Sequence, residues 1–191
     1  MRRALVITVS DRATTGERPD TNGPLLASLL ADLGLDVGPV VVVPDELEAI
    51  RGALTAAVTQ AYDLVLTTGG TGLTPRDVTP EATRPLLERE APGLSEALRH
   101  RNAEAVPTAI LSRGVAGTIG RTLVVNLPGS SGGVRDGVGV LAPVLAHALA
   151  QLAGGGEHLA ERYGAAVAEL AGPVAELMAA VDHGVGVHGG E

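Results

Sequence analysis

Four short aliphatic runs, each handing over to a polar or glycine-rich loop, constrain this chain more than any other feature. They are Ala4–Val9, Val37–Val43, Asp63–Thr68 and Arg121–Asn126. Most lack the polar–apolar alternation of a strand wet on one face; strands buried on both faces have this character. Segments with helical spacing lie between and after them: Pro24–Leu33, Asp45–Ala61, a stretch opened by Thr79 as N-cap and Pro80, Leu94–Asn102, and Gly133–Ala153. The alternation predicts the α/β class, with a mostly parallel sheet between two helical layers, a three-layer α/β/α sandwich over residues 1–153. Val106–Ser112 reads as helix, and Gly114–Thr118 with Arg121–Asn126 reads as a hairpin around Ile119-Gly120.

Gly154-Gly155-Gly156 reads as a boundary. Beyond it, Leu159, Tyr163, Val167, Leu170, Val174, Leu177, Met178 and Val181 recur at helical spacing, with Gly172-Pro173 expected to kink or split that helix. They predict a C-terminal helical extension over 157–183, docked on its own domain or on a neighbouring subunit, and a flexible end over 184–191.

Missing residue types narrow the chemistry. There is no Cys, hence no disulfide, thiol nucleophile or thiolate zinc site. All 14 basic residues are Arg, and the absence of Lys excludes a Walker-type phosphate loop and Schiff-base chemistry. Two Tyr, no Trp and no Phe leave few stacking platforms, and a net charge of −8 without a basic stripe argues against nucleic acid. No apolar run reaches the length of about 18 residues that a membrane helix needs. The run between Met1-Arg2-Arg3 and Asp11 is too short for a signal peptide, so a cytoplasmic protein without a membrane partner is expected.

In an open parallel sheet, ligands bind outside the carboxyl ends of the strands. The segments expected there are Ser10-Asp11-Arg12, Asp45-Glu46, Gly69-Gly70-Thr71-Gly72 with Thr74-Pro75-Arg76-Asp77, and Asn126 with Pro128-Gly129-Ser130-Ser131-Gly132-Gly133. Glycines bring backbone N–H groups close to an oxyanion, and a helix N-terminus adds positive potential, so this edge suits phosphate. Asp45 and Asp77 can hold Mg²⁺, and Arg12, Arg76 and Arg113 can screen charge. Plainer readings stand beside these. Asp45 with Glu48 three residues on resembles a capping box, and local spacing alone favours that. Asp77 suits a turn, Asp11 can pair with Arg12, Ser131 can be a mere N-cap, and His100 and His147 read as surface histidines. His183 and His188 are a weak metal pair.

The segment Thr67-Thr-Gly-Gly-Thr-Gly-Leu-Thr-Pro-Arg-Asp-Val-Thr-Pro-Glu-Ala-Thr83 resembles the signature of the molybdopterin-binding MogA/MoaB family. Thr8-Val-Ser-Asp-Arg12, Asp20-Thr-Asn-Gly-Pro24, Val43-Pro-Asp-Glu46, Val106-Pro-Thr-Ala-Ile-Leu-Ser-Arg113 and Asn126-Leu-Pro-Gly-Ser130 follow the same pattern, in order, from about Ala4 to Ala153. The resemblance implies a MogA-like fold, similar to the G domain of gephyrin, and a nucleotidyltransferase. With Mg²⁺, ATP and molybdopterin would give adenylylated molybdopterin and pyrophosphate. It also implies a homotrimer and hand-off to a molybdate-insertion protein. The family's two aspartates match Asp45 and Asp77, which turns the local preference at Asp45 around: capping a helix and facing the metal are compatible. Loops and resemblance together nominate Ser10, Asp11, Thr68, Gly69, Gly70, Thr71, Gly72, Arg76, Asn126, Pro128, Gly129, Ser130 and Ser131 as contacts to pterin and nucleotide. Two other readings stay open: a pterin-binding accessory member without catalysis, and an oligomeric scaffold.

Overall fold

A computed structural model describes residues 1–103 and 106–154. In chain order the elements are β1 (Arg3–Val9), α1 (Asp11–Thr14), α2 (Asn22–Asp32), β2 (Asp36–Val37), β3 (Val41–Val43), α3 (Leu47–Thr59), β4 (Leu64–Thr68), α4 (Thr79–Thr83), β5 (Arg89–Glu90), α5 (Pro92–Ala103), β6 (Ala116–Ile119), β7 (Thr122–Leu127) and α6 (Ser131–Leu152). The sheet runs β2-β1-β4-β7-β6-β5, with β3 beside β1. Pairings among β1, β2, β3, β4 and β7 are parallel, whereas β5–β6 and β6–β7 are antiparallel.

The period of two along each strand sorts the core into two layers. Ala4 and Val6 of β1, Leu64 and Leu66 of β4, and Leu123, Val125 and Leu127 of β7 pack beneath α2 and α6, against Leu26, Leu30, Val134, Val138 and Leu141. Leu5, Ile7, Val65 and Val124 face the other way, onto Ile50 and Leu54 of α3 and Ala82 of α4. Both faces of the three central strands are therefore covered, which gives the three-layer α/β/α sandwich that their composition predicts.

Elsewhere the elements differ from expectation. The run Val37–Val43 is not one buried strand. It breaks at Gly38-Pro39-Val40 into two short pieces on the sheet edge, where Val42 is exposed. Pro39 has no N–H to give a ladder. Gly38 donates to Ala4 O, and a Cβ there would lie 2.3 Å from the Tyr62 hydroxyl. Val106–Ser112 is helical as expected, in the tighter 3₁₀ form and shorter, at Pro107–Leu111. Pro92 and Gly93 begin α5 instead of preceding it. Thr79 is the first residue of α4 and not its N-cap, which is Val78. Among the described residues no helix is long and apolar enough to cross a membrane. The expected extension over 157–183 and the end over 184–191 lie outside the described residues.

Candidate active site

Because β1, β3, β4 and β7 are mutually parallel and in register at their ends, the loops that follow them meet along one edge. Val9 pairs with Val43, Thr8 with Thr68, and Thr68 with Leu127. Beyond the ladder, the Ser10 amide donates to Val43 O at 2.9 Å and the Gly69 amide donates to Leu127 O at 3.2 Å.

The loop after β4 turns back sharply, with φ of 106° at Gly69 and 62° at Gly70. Side chains are barred there by space as well as by conformation. A Cβ on Gly69 would sit 2.3 Å from Val9 O, and one on Gly70 would sit 2.3 Å from Thr79 Oγ1. Thr79 fastens the turn: its hydroxyl donates to Gly69 O at 2.9 Å and its amide to Gly70 O at 3.0 Å. The carbonyls are thus engaged, while no acceptor among the described residues takes the amide hydrogens of Gly70 and Thr71.

The two aspartates flank this turn. Asp45 Oδ1 lies 3.1 Å from the Cβ position of Gly70, and Asp77 Oδ2 lies 3.0 Å from that of Gly72. Asp45 does not cap α3. The N-cap is Glu46, which makes no side-chain cap bond. Instead Asp45 and Asp11 exchange bonds: Asp11 N–H donates to Asp45 Oδ2 at 2.8 Å, and Asp45 N–H donates to Asp11 Oδ1 at 3.0 Å. Burial pushes the Asp45 carboxyl above its ordinary range; the Asp11 amide and Arg76 pull it down, and the nearby Asp11 and Asp77 carboxylates push it up. The Asp77 carboxyl also feels partial burial, but hydrogen bonds from Thr74 and the Gly72 amide, with the Arg113 charge, hold it below the usual range. Thr74 N–H donates to Asp77 Oδ2 at 2.8 Å.

The arginines take roles that local spacing does not show. Asp11 pairs with Arg76 rather than Arg12: Arg76 Nε and its terminal nitrogen reach Asp11 at 2.9 and 2.7 Å. That fork, then the Asp45 amide, holds the Asp11 carboxyl below its ordinary range. Arg113 donates to Gly72 O at 2.7 Å, to Asp77 O and to Glu81, and its amide donates to Thr71 O. It clamps the loop rather than presenting a free guanidinium.

On the neighbouring loop, Ser130 and not Ser131 is the N-cap of α6; its Oγ accepts from Gly133 N–H at 3.1 Å. Ser131 is the first helical residue. Gly129 closes on Gly69, where a Cβ would lie 3.1 Å from Gly69 Cα. Thr68 donates to Pro128 O at 2.8 Å, tying the two loops together. Asn126 is 2% exposed and both its Nδ2 hydrogens are committed: Oδ1 accepts from Val115 N–H, and Nδ2 donates to the hydroxyls of Thr67 and Thr83. It braces the ends of β4 and β7 against α4.

Two depressions flank the joined loops. One, of about 140 Å³, is lined by Thr8, Ser10, Arg12, Arg18, Asp20, Asn22, Thr68, Gly69 and Gly129. The other, of about 270 Å³ and more apolar, is lined by Thr71, Gly72, Val106, Leu111, Pro128, Ser130 and Gly133, among others. Arg18, Asp20 and Asn22 were not nominated from the sequence on their own chemistry; the Asp20–Pro24 motif was the signal that could have found them. Asp20 accepts from Thr8 Oγ1 and from the amides of Asn22 and Gly23, and so fixes the start of α2 beside the cleft.

The family model described as "Probable molybdopterin binding domain" matches residues 5–147. The chain belongs to this molybdopterin-binding family. It is similar to molybdenum cofactor biosynthesis protein B of Staphylococcus carnosus, with 40% identity covering 77% of this chain and 88% of that one. A solved molybdopterin biosynthesis protein from Mycobacterium abscessus aligns with a TM-score of 0.76 and 51% identity, covering 80% of this chain and 97% of that one. Gephyrin of Dictyostelium discoideum is 40% identical over 75% of this chain. The chain spans only 21% of gephyrin's length and 47% of that of the bifunctional molybdenum cofactor protein of Synechococcus elongatus. Molybdenum cofactor biosynthesis is thus the family's business, and the glycine turn with its two aspartates lies within the matched residues.

Proposed function

We propose that this family member is a Mg²⁺-dependent molybdopterin adenylyltransferase. An oxygen of the pterin's terminal phosphate attacks the α-phosphorus of ATP. The bond from that phosphorus to the bridging β-phosphate oxygen breaks, pyrophosphate leaves, and the adenylylated pterin remains. The nucleophile is already an anion, so no strong general base is required. The work is positioning and charge neutralisation, as in phosphoryl transfer generally. A site without Lys, Cys or a nearby His is adequate for that.

One observation carries the reading: Asp45 and Asp77 flank the Gly70 and Gly72 positions of one turn, beside the Ser130-capped start of α6. The Gly70 and Thr71 amides are donors for a phosphate oxygen. Ser130 Oγ accepts from Gly133 and keeps its own hydrogen to give. The first turn of α6 adds positive potential. The donor set fits Mg²⁺, a hard cation that takes one or two carboxylates and keeps waters and substrate phosphates as its other ligands. Among the described residues no group of three or more acidic or histidine side chains forms a cage of its own, in keeping with that mode. Bound there by Asp45 and Asp77, Mg²⁺ would supply neutralisation of phosphate charge.

The same reading includes a cytoplasmic homotrimer that passes its product to a molybdate-insertion protein. Exposure of Val106, Ile110 and Leu111 around the 3₁₀ helix supports an apolar subunit contact. The test is incubation of the protein with molybdopterin, ATP and Mg²⁺. One pyrophosphate per adenylylated pterin is expected. Tight pterin binding with no pyrophosphate released would leave only the accessory-binder reading.

A further inference from the structure

Most of the described arginines have their guanidinium engaged. Arg2 pairs with Asp63, Arg51 with Glu48, Arg76 with Asp11 and Arg84 with Glu90, Arg113 grips Glu81 and loop carbonyls, and Arg121 binds two carbonyls at the end of α6. Among the described residues, Arg12, Arg18, Arg89 and Arg135 have neither an ion pair nor a side-chain hydrogen bond. Two of these four, Arg12 and Arg18, line the same 140 Å³ cleft, which also borders Gly69 and Gly129.

Several of the other donors lining that cleft are already committed within the protein. The Thr8 hydroxyl donates to Asp20, the Thr68 hydroxyl to Pro128 O, and Asn22 Nδ2 to Gly129 O. Asp20 is the one acid in the lining, and its two oxygens already receive one hydroxyl and two amides. Two guanidiniums against one satisfied carboxylate leave the cleft cationic in a chain of net charge −8. A guanidinium presents a planar fork that matches phosphate oxygens.

We propose that Arg12 and Arg18 form a second oxyanion subsite, which takes a phosphate-bearing anion beside the glycine turn. The choice of phosphate rests on the adenylyltransferase reading. The anion is a phosphate group of a substrate or the pyrophosphate product.

Calorimetric titration of the full chain with pyrophosphate tests this, with Arg12→Gln, Arg18→Gln and the double variant beside the wild type. The double variant binds pyrophosphate at least about tenfold more weakly, as expected for lost charge-assisted hydrogen bonds. Wild-type binding weakens with added salt. Melting temperatures stay together, because neither side chain has a partner to lose. Parallel titrations distinguish the source. A matching loss for ATP assigns the subsite to the nucleotide's phosphate tail; a loss confined to phosphate and pyrophosphate assigns it to the product or the pterin phosphate. Equal affinity in the double variant, or no binding by the wild type, overturns the subsite. Arginine-dependent pyrophosphate binding by a protein that makes no adenylylated pterin would keep the subsite and remove the function. Adenylylation with arginine-independent binding would do the reverse.

Discussion

Arg76 grips Asp11 through two nitrogens, and the Asp11 amide in turn holds the Asp45 carboxylate. Arg76 precedes Asp77, so this relay links the two aspartates across three loops. Arg76→Met cuts it while leaving the strands untouched. The expected result is a fall in adenylylation of at least about tenfold, since small misplacements of reacting groups are costly. The melting temperature should move only slightly, because the pair is exposed to solvent. Steady-state rates beside a thermal melt check this; a rate that follows the melt, falling only as the protein unfolds, would reduce the relay to ordinary structure.

The turn itself is tested by Gly69→Ala. A Cβ would meet Val9 O at 2.3 Å in a conformation that L side chains rarely adopt. Strain of this kind costs on the order of 1–3 kcal/mol. Denaturant unfolding should show that loss, and the displaced loop should also lower activity. Gly52→Ala, at a helical position with nothing within 4 Å of the added carbon, is the control expected to cost nothing.

Asn126 is expected to matter for stability. Asn126→Leu strands the Val115 amide and removes the acceptors' shared donor for Thr67 and Thr83, all in the buried interior. A loss of about 1–3 kcal/mol follows for the unsatisfied group. Chemical denaturation measures it. A direct substrate contact would instead show as a raised KM in a protein of unchanged stability.

These residues also mark the limit of what local spacing reveals. The buried runs of β1, β4 and β7, the helices on both faces and the gathering of four loops at one edge were legible, because each depends on periodicity within a few residues. The break at Gly38–Val40 was less so, since it depends on Tyr62 and on the strand's place at the sheet edge. At Asp45 the capping pattern misled: the true partner, Asp11, is 34 residues away. Arg76 and Asp11 are 65 residues apart, and Arg113 meets Gly72 across 41. Side-chain partners so distant leave no periodic trace, and so Arg76 and Arg113 read as free charges and the bracing bonds of Asn126 go unseen.

Asp45 ties pH to both activity and stability. Its carboxyl titrates above the ordinary carboxylate value of about 4 because burial penalises the charge. At low Mg²⁺ the acid limb of kcat/KM should therefore lie above that value, with Asp77, held low, still ionised there, and rising Mg²⁺ bound at Asp45 should move the limb down. For stability the sign is the opposite of a salt-bridged acid. A raised folded-state pKa favours the native state fully below the unfolded value, and that favour is lost as pH rises through the folded value. Asp45→Asn should thus be inactive, and its stability relative to wild type should be higher at pH 7 than at pH 4. Denaturant melts at the two pH values check the sign.

The most direct test is Asp77→Asn, assayed for adenylylated molybdopterin by mass spectrometry after incubation with the pterin, ATP and Mg²⁺. The substitution keeps the side chain's shape and removes its charge from the glycine turn. A folded variant that forms no adenylylated product, beside a wild type that does, is the predicted result. A folded variant that turns over at the wild-type rate would contradict the assignment of phosphate chemistry to this loop.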